Sequence, residues 1–172
     1  MGDLDELYQQ IILDAARERH GEGELEAPEG ESYQVNTLCG DKVNMQVKLS
    51  DDGETISDLA WQGDGCSISQ ASISIMNDLI AGQKVDRLAE LYGLFRKMMD
   101  GRGKELPEAE ADELEDATAF VGVAKFPMRI KCALLGWMAA REATEEALAA
   151  REATEEALAA RAHHAEAPAQ QN

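Results

Sequence analysis

A chain of 172 residues has room for one domain with a proper core and is short for two. With 34 acidic against 16 basic side chains its formal net charge is -18, which argues against nucleic acid and anionic membranes as partners, because neutralising phosphate takes clustered Lys and Arg. The first residues are acidic where a secretory leader is basic, and no long apolar run follows. The expected setting is therefore the reducing cytoplasm, where three cysteines read as ligands or catalysts before disulfides.

In chain order, Leu4, Leu7, Ile11, Ile12 and Ala15 recur at helical spacing after Asp3, a candidate N-cap, and the pattern stops near His20-Gly21. Residues Gly21–Gly30 form a polar loop. Val43, Met45, Val47 and Leu49 alternate with polar residues, the period of a strand buried on one face. Ser32–Thr37 supplies a strand before it, and Thr55–Trp61 one after the Asp51-Asp52-Gly53 turn. Gly63-Asp64-Gly65 is expected to break the sheet. Helical spacing returns over Ser67–Leu79 and again from Val85 to Met98. Gly101–Asp116 is acidic, with Pro107 as a helix start. After Phe126-Pro127 a last core helix carries Ile130, Leu134, Leu135 and Met138.

The end of the chain is a duplication. Arg141–Ala150 and Arg151–Ala160 are the same ten residues. Their Ala, Glu and Leu content favours helix, but Leu148 and Leu158 are too few to define a buried face. Residues 141–172 are expected to be an exposed helical tail that frays before Ala167-Pro168, with His163 and His164 solvated.

Chemistry concentrates in Cys39, Asp41, Cys66 and Cys132. Three thiols and one carboxylate suit one tetrahedral zinc ion or one edge of an iron–sulfur cluster. Cys39 and Asp41 fall in the connection between the first two strands. Cys66 stands where a Gly-rich turn becomes a helix, beside free amide donors, which suits an anionic sulfur. Cys132, among Ile130, Ala133 and Leu135, reads on its own as a small buried hydrophobe. No C-x-x-C pair exists, so only tertiary structure can bring the four together.

Three segments carry a family resemblance: Val35-Asn36-Thr37-Leu38-Cys39-Gly40-Asp41, Gly65-Cys66-Ser67-Ile68-Ser69-Gln70-Ala71-Ser72 and Arg129-Ile130-Lys131-Cys132-Ala133-Leu134-Leu135-Gly136-Trp137. They resemble the signature segments of the SufU branch of the IscU/NifU N-terminal family, over about Leu4 to Ala140. The IscU branch carries a His immediately before the third cysteine, where this chain has Lys131. It also carries a Leu-Pro-Pro-Val-Lys chaperone motif, which Phe126-Pro127-Met128-Arg129 does not match. The segment Gly101–Lys125 is similar to the insertion typical of SufU. Asp14-Ala15-Ala16-Arg17 departs from the Asp-His-Tyr that usually ends the first helix.

The resemblance implies an α+β domain over residues 1–140, a small three-stranded antiparallel sheet packed by helices, with an exposed C-terminal helical tail. It implies zinc on Cys39, Asp41, Cys66 and Cys132. It also implies persulfide acceptance by Cys39 from a SufS-type, pyridoxal-phosphate-dependent cysteine desulfurase, whose His replaces Cys39 on the metal, and delivery to a downstream SUF cluster-assembly scaffold. Arg129 and Lys131 would flank the site. Two rivals stay open: a scaffold building a transient [2Fe–2S] cluster on the same cysteines, and a zinc-stabilised adaptor without sulfur chemistry.

Overall fold

The computed structural model describes residues 2–166. It consists of α1 (Asp3–Glu18), β1 (Gly30–Asn36), β2 (Asp41–Leu49), β3 (Ile56–Asp64), α2 (Ser67–Ile80), α3 (Val85–Asp100), α4 (Glu108–Leu114), a run of 3-10 turns over Glu115–Lys125, and α5 (Pro127–Glu166). The α+β expectation holds: the strands form one antiparallel sheet in the order β1-β2-β3, with helices packed against it. Strand β2 lies between its neighbours and buries Val43, Met45, Val47 and Leu49, the alternating set expected of it. Gly63-Asp64 does not end the sheet early. Gly63 pairs with Val43 inside β3, and a Cβ there would stand 2.2 Å from the Lys42 carbonyl, so the glycine is what lets the strand continue.

Helix α2 lies at the centre and is buried almost all round, from Ser69 to Asn77 and again at Leu79 and Ile80. Its serines are compatible with that position because they are bonded internally; the Ser72 hydroxyl donates to the Ala133 carbonyl at 2.6 Å. Helix α5 crosses it closely, and a Cβ on Gly136 would come within 2.4 Å of Ile73 Cγ1. The inner face of α5 carries Ala133, Leu135, Gly136, Trp137, Ala139 and Ala140. Ile130, Leu134 and Met138 are only half-buried, so the core-facing stripe is offset from the large aliphatic residues that suggested it. Helix α1 starts at Asp3 with Gly2 as its cap, one residue earlier than expected, and buries Ile12 and Ala15. Glu115, the first residue of the 3-10 run after α4, holds φ 48, a left-handed value that costs a non-glycine residue on the order of 1 kcal/mol.

The C-terminal helix is present, but its first repeat is not solvated throughout. Ala143, Thr144 and Ala147 are buried. They pack at Gly30, where a Cβ would lie 1.8 Å from the Ala143 carbonyl. Glu142 accepts hydrogen bonds from Ser32 Oγ and Gln34 Nε2 on β1. Small side chains, which gave no signal of a buried face, are what such a close approach requires. The second repeat begins with a clamp: Arg151 donates through Nε and Nη2 to the Glu29 carboxylate at 2.7 and 2.8 Å, and to the carbonyls of Leu49 and Asp51. Beyond it, residues 152–165 are exposed, including His163 and His164. The expected fraying at Ala167-Pro168 lies outside the described residues. No described helix is long and apolar enough to cross a membrane.

Arg151 holds the Glu29 carboxyl below the ordinary carboxylate range, mainly through their hydrogen bonds. A depressed carboxyl stabilises the fold above its unfolded value of about 4.5 and loses that contribution as pH falls through the lower folded value. Arg151→Gln should therefore lower stability by about 1 kcal/mol at neutral pH. Thermal melts of the two proteins should converge as the pH is taken below 4.5.

Candidate metal centre

The hairpin between β1 and β2 displays the first ligand candidate. Its register ends with Asn36 opposite Asp41, leaving Thr37-Leu38-Cys39-Gly40 as the connection. Asn36 shapes that loop. Its side-chain Oδ1 accepts the Leu38 amide at 3.1 Å, and its carbonyl accepts the amides of Cys39 and Gly40 at 3.3 and 2.8 Å. Gly40 turns the chain into β2 at φ 75, a conformation glycine adopts without steric cost. Cys39 is thus exposed, on a loop held by its own backbone.

Asp41 opens β2 with its side chain 0% exposed. Its Oδ1 accepts the Cys66 amide hydrogen at 2.8 Å, and its Oδ2 lies 3.6 Å from Cys66 Sγ. Cys66 is the N-cap of α2, as the sequence suggested. Gly65 before it makes the approach possible, because a Cβ there would meet Asp41 Oδ1 at 2.4 Å and Ser69 Oγ at 2.6 Å. The Ser69 hydroxyl donates to the Cys66 carbonyl at 3.0 Å and sits 3.9 Å from its sulfur.

Cys132 comes from the second turn of α5 and is buried. Its sulfur lies 3.5 Å from Cys39 Sγ. The Asn36 amide donates to Cys39 Sγ at 3.4 Å and reaches Cys132 Sγ at 3.9 Å, so one side chain addresses both sulfurs. Cys132 therefore fills both of its sequence readings, a buried residue and a member of the cluster.

Ligand atoms of Cys39, Asp41 and Cys132 all lie within 4.8 Å of one another. Cys66 is not in that mutual set and joins it through Asp41. Two sulfurs each about 2.3 Å from one tetrahedral zinc ion would stand about 3.8 Å apart, and a sulfur and a carboxylate oxygen about 3.6 Å. The observed 3.5 Å between Cys39 and Cys132 and 3.6 Å between Cys66 and Asp41 match two edges of such a tetrahedron. Asp41 is buried with no ion-pair partner among the described residues, and buried charges are paired or coordinate metals. Burial, with Asp41 and Cys39 alongside, pushes the Cys132 thiol up. A bound cation overcomes that penalty, since a coordinating thiol is deprotonated outright. The donor set fits a metal.

Sequence reasoning gave no role to Asn36, Ser69 or Arg19. An Asn three residues before a loop Cys is a detectable signal, because Asx turns order such loops. Arg19, the left-handed cap of α1, stacks on Trp61 at 4.7 Å, donates to the Gly63 carbonyl at 2.8 Å and bonds Gln70, bracing the ends of β3 and α2 behind the centre. Arg129 and Lys131 are exposed on the first turns of α5, without ion-pair partners among the described residues.

A three-stranded sheet and five α-helices that gather three thiols and a carboxylate at one end define a small α+β protein built around a metal–sulfur centre. Residues 7–133 match the family described as NifU-like N terminal domain, and the chain belongs to it. It is 37% identical over 140 residues to the zinc-dependent sulfurtransferase SufU of Bacillus subtilis (strain 168), covering 80% of this chain and 88% of that protein. It is 36% identical over 147 residues to the iron–sulfur cluster assembly scaffold protein IscU of Streptococcus pyogenes serotype M1, covering 86% and 88%. A crystal structure of a putative iron–sulfur cluster assembly scaffold protein for the SUF system, from Fervidobacterium islandicum AW-1, superposes with TM-score 0.69 at 29% identity, over 83% of this chain and 99% of that one.

Gly65→Ala tests the packing behind Asp41. The added methyl group displaces the carboxylate, and zinc affinity, measured by competition with a chromogenic chelator, should fall roughly 10- to 100-fold.

Proposed function

We propose that this chain works in iron–sulfur cluster assembly as a zinc-binding sulfur acceptor: Cys39, Asp41, Cys66 and Cys132 hold the ion, and Cys39 takes sulfane sulfur from a cysteine desulfurase. The observation that carries the reading is the buried, unpaired Asp41 carboxylate set against the sulfur of Cys66, in a cluster with those of Cys39 and Cys132. Zinc, when bound, supplies the positive charge that keeps the sulfurs as thiolates near neutral pH. A downstream SUF scaffold would then receive the sulfur.

Exposure divides the labour among the cysteines. Cys132 is buried and Cys66 half-buried, each tied to a helix, whereas Cys39 is exposed on a loop. A partner's persulfide can therefore reach Cys39 most readily. The Cys39 thiolate attacks the terminal sulfur of the partner's persulfide. A new S–S bond forms on Cys39 as the partner's S–S bond breaks, and the electron pair of that bond leaves with the partner's cysteine as a thiolate. The sulfane atom moves without net oxidation, keeping any proton it carried. Asn36 Nδ2, already donating to Cys39 Sγ, steadies the anionic sulfur before attack. The exposed cations of Arg129 and Lys131 stand on the helix that presents Cys132, placed to favour an approaching anion. The pyridoxal phosphate of the reaction belongs to the desulfurase.

Similarity to a protein named as a scaffold keeps a second reading in view: a transient [2Fe–2S] cluster on the same cysteines. Metal analysis after anaerobic and aerobic purification separates the two. One zinc per chain supports sulfur acceptance, whereas brown protein containing iron and sulfide supports the scaffold.

Cys39→Ser should retain most of its zinc on three protein ligands and water while losing persulfide acceptance from a radiolabelled desulfurase. Normal labelling of that variant would remove Cys39 from its role. Cys66→Ser should lose the ion, and with structural zinc worth about 10 kcal/mol or more in small domains, it should melt roughly 10 °C or more below the parent.

A further inference from the structure

A recess lies away from the metal centre, between the start of α1 and the segment running from the end of α3 through α4 and the 3-10 turns. It is an open groove of about 480 Å³, within the size range of specific binding sites. Its floor is apolar, formed by Leu4 and Tyr8 of α1, Met98 of α3, Leu106 and Val121. Leu4 is 47% exposed, so the floor is open to water. The rim is acidic. Glu105, Glu108, Asp112 and Glu115 border the recess, and all four are exposed.

The pattern of ion pairs around the recess is selective. Glu110 is paired with Lys97 and Glu113 with Arg87, so neighbouring acids on the same helix have partners. None of the four rim carboxylates is in an ion pair among the described residues. They do not form a metal cluster either, since the close ligand set among the described residues is the one at Cys39, Asp41 and Cys132. An anionic membrane or nucleic acid is repelled by this rim. An occupant must supply cations at the edge and apolar groups at the centre.

We propose that this groove docks a basic amphipathic segment of a partner protein, seating large apolar side chains on Leu4, Tyr8 and Leu106 while Lys or Arg residues on either flank pair with the rim carboxylates. This is recognition of a helix in a groove, with the charges choosing the partner and speeding its encounter. From Leu4 to Arg19, α1 covers roughly 22 Å, so a segment held here leaves the metal end free. The inference is independent of the sulfur-transfer reading, because no groove residue belongs to that centre.

The probe is a fluorescent Lys/Leu amphipathic peptide of about three helical turns, titrated with the full-length protein and followed by anisotropy. Leu4→Ser combined with Glu108→Lys and Asp112→Lys should weaken binding about tenfold or more. Glu152→Lys combined with Glu155→Lys, a comparable charge reversal on the exposed end of α5, should leave affinity within about twofold. Replacing the peptide's Leu residues with Ser should weaken it as much as the groove variant does. Circular dichroism and metal content should be unchanged in both protein variants. Wild-type affinity in the groove variant would place the peptide elsewhere, and equal loss in the α5 variant or full binding by the Leu-free peptide would reduce the effect to bulk charge; each outcome overturns the proposal.

Discussion

A carboxylate buried at the mouth of a hairpin governs much of this structure. Asp41 has its side chain out of water and no cationic residue paired with it among the described residues, so its charge needs other compensation. Part comes from the Cys66 amide at the start of α2. A cation at this site would supply the rest, and the neighbouring sulfurs are placed to share it. Several local choices follow from that one group. The hairpin must close at Asn36, position 65 must lack a side chain, and the first turns of α5 must bring Cys132 against Cys39. A cation bound there would couple metal binding to folding through that carboxylate.

Much of the scaffold was legible from periodicity. The alternation of Val43 to Leu49 marks β2, and the apolar spacing after Ser67 and Val85 marks α2 and α3. The four ligand candidates were also legible by residue type and by family resemblance, but their meeting was not. With no closely spaced cysteine pair, contact between Cys39 and Cys132 depends on how α5 crosses β1, a tertiary property. The supporting residues were harder to see. Gly65 announces a turn, and nothing in the chain says that a carboxylate from β2 will fill the space where its side chain would be. The run of 3-10 turns after α4 has neither a period of two nor one of 3.6, so the segment read only as an acidic insertion.

The repeated decapeptide shows how little a local sequence fixes its own environment. Ten residues advance a helix by about 15 Å and fall about 80° short of a whole number of turns, so equivalent positions in the two copies face different directions. Arg141 lies over the Tyr92 ring at 5.0 Å, whereas Arg151 grips Glu29 and two backbone carbonyls. Ala143 and Ala147 are buried, whereas Ala153 and Ala157 are exposed. The difference is supplied by what lies opposite: a glycine at position 30 for the first copy, and solvent for most of the second. Reading burial from large aliphatic residues alone missed the first copy because its packing depends on small ones.

The part of α5 beyond Arg151, from residue 152 to 166, is roughly 22 Å of helix standing off the domain. A rod fixed to one side of a globule makes rotational diffusion direction-dependent: turning about the rod's axis is faster than end-over-end tumbling. Amide relaxation should accordingly vary with bond orientation, with N–H vectors in α5, which run along the rod, reporting slower reorientation than those lying across it.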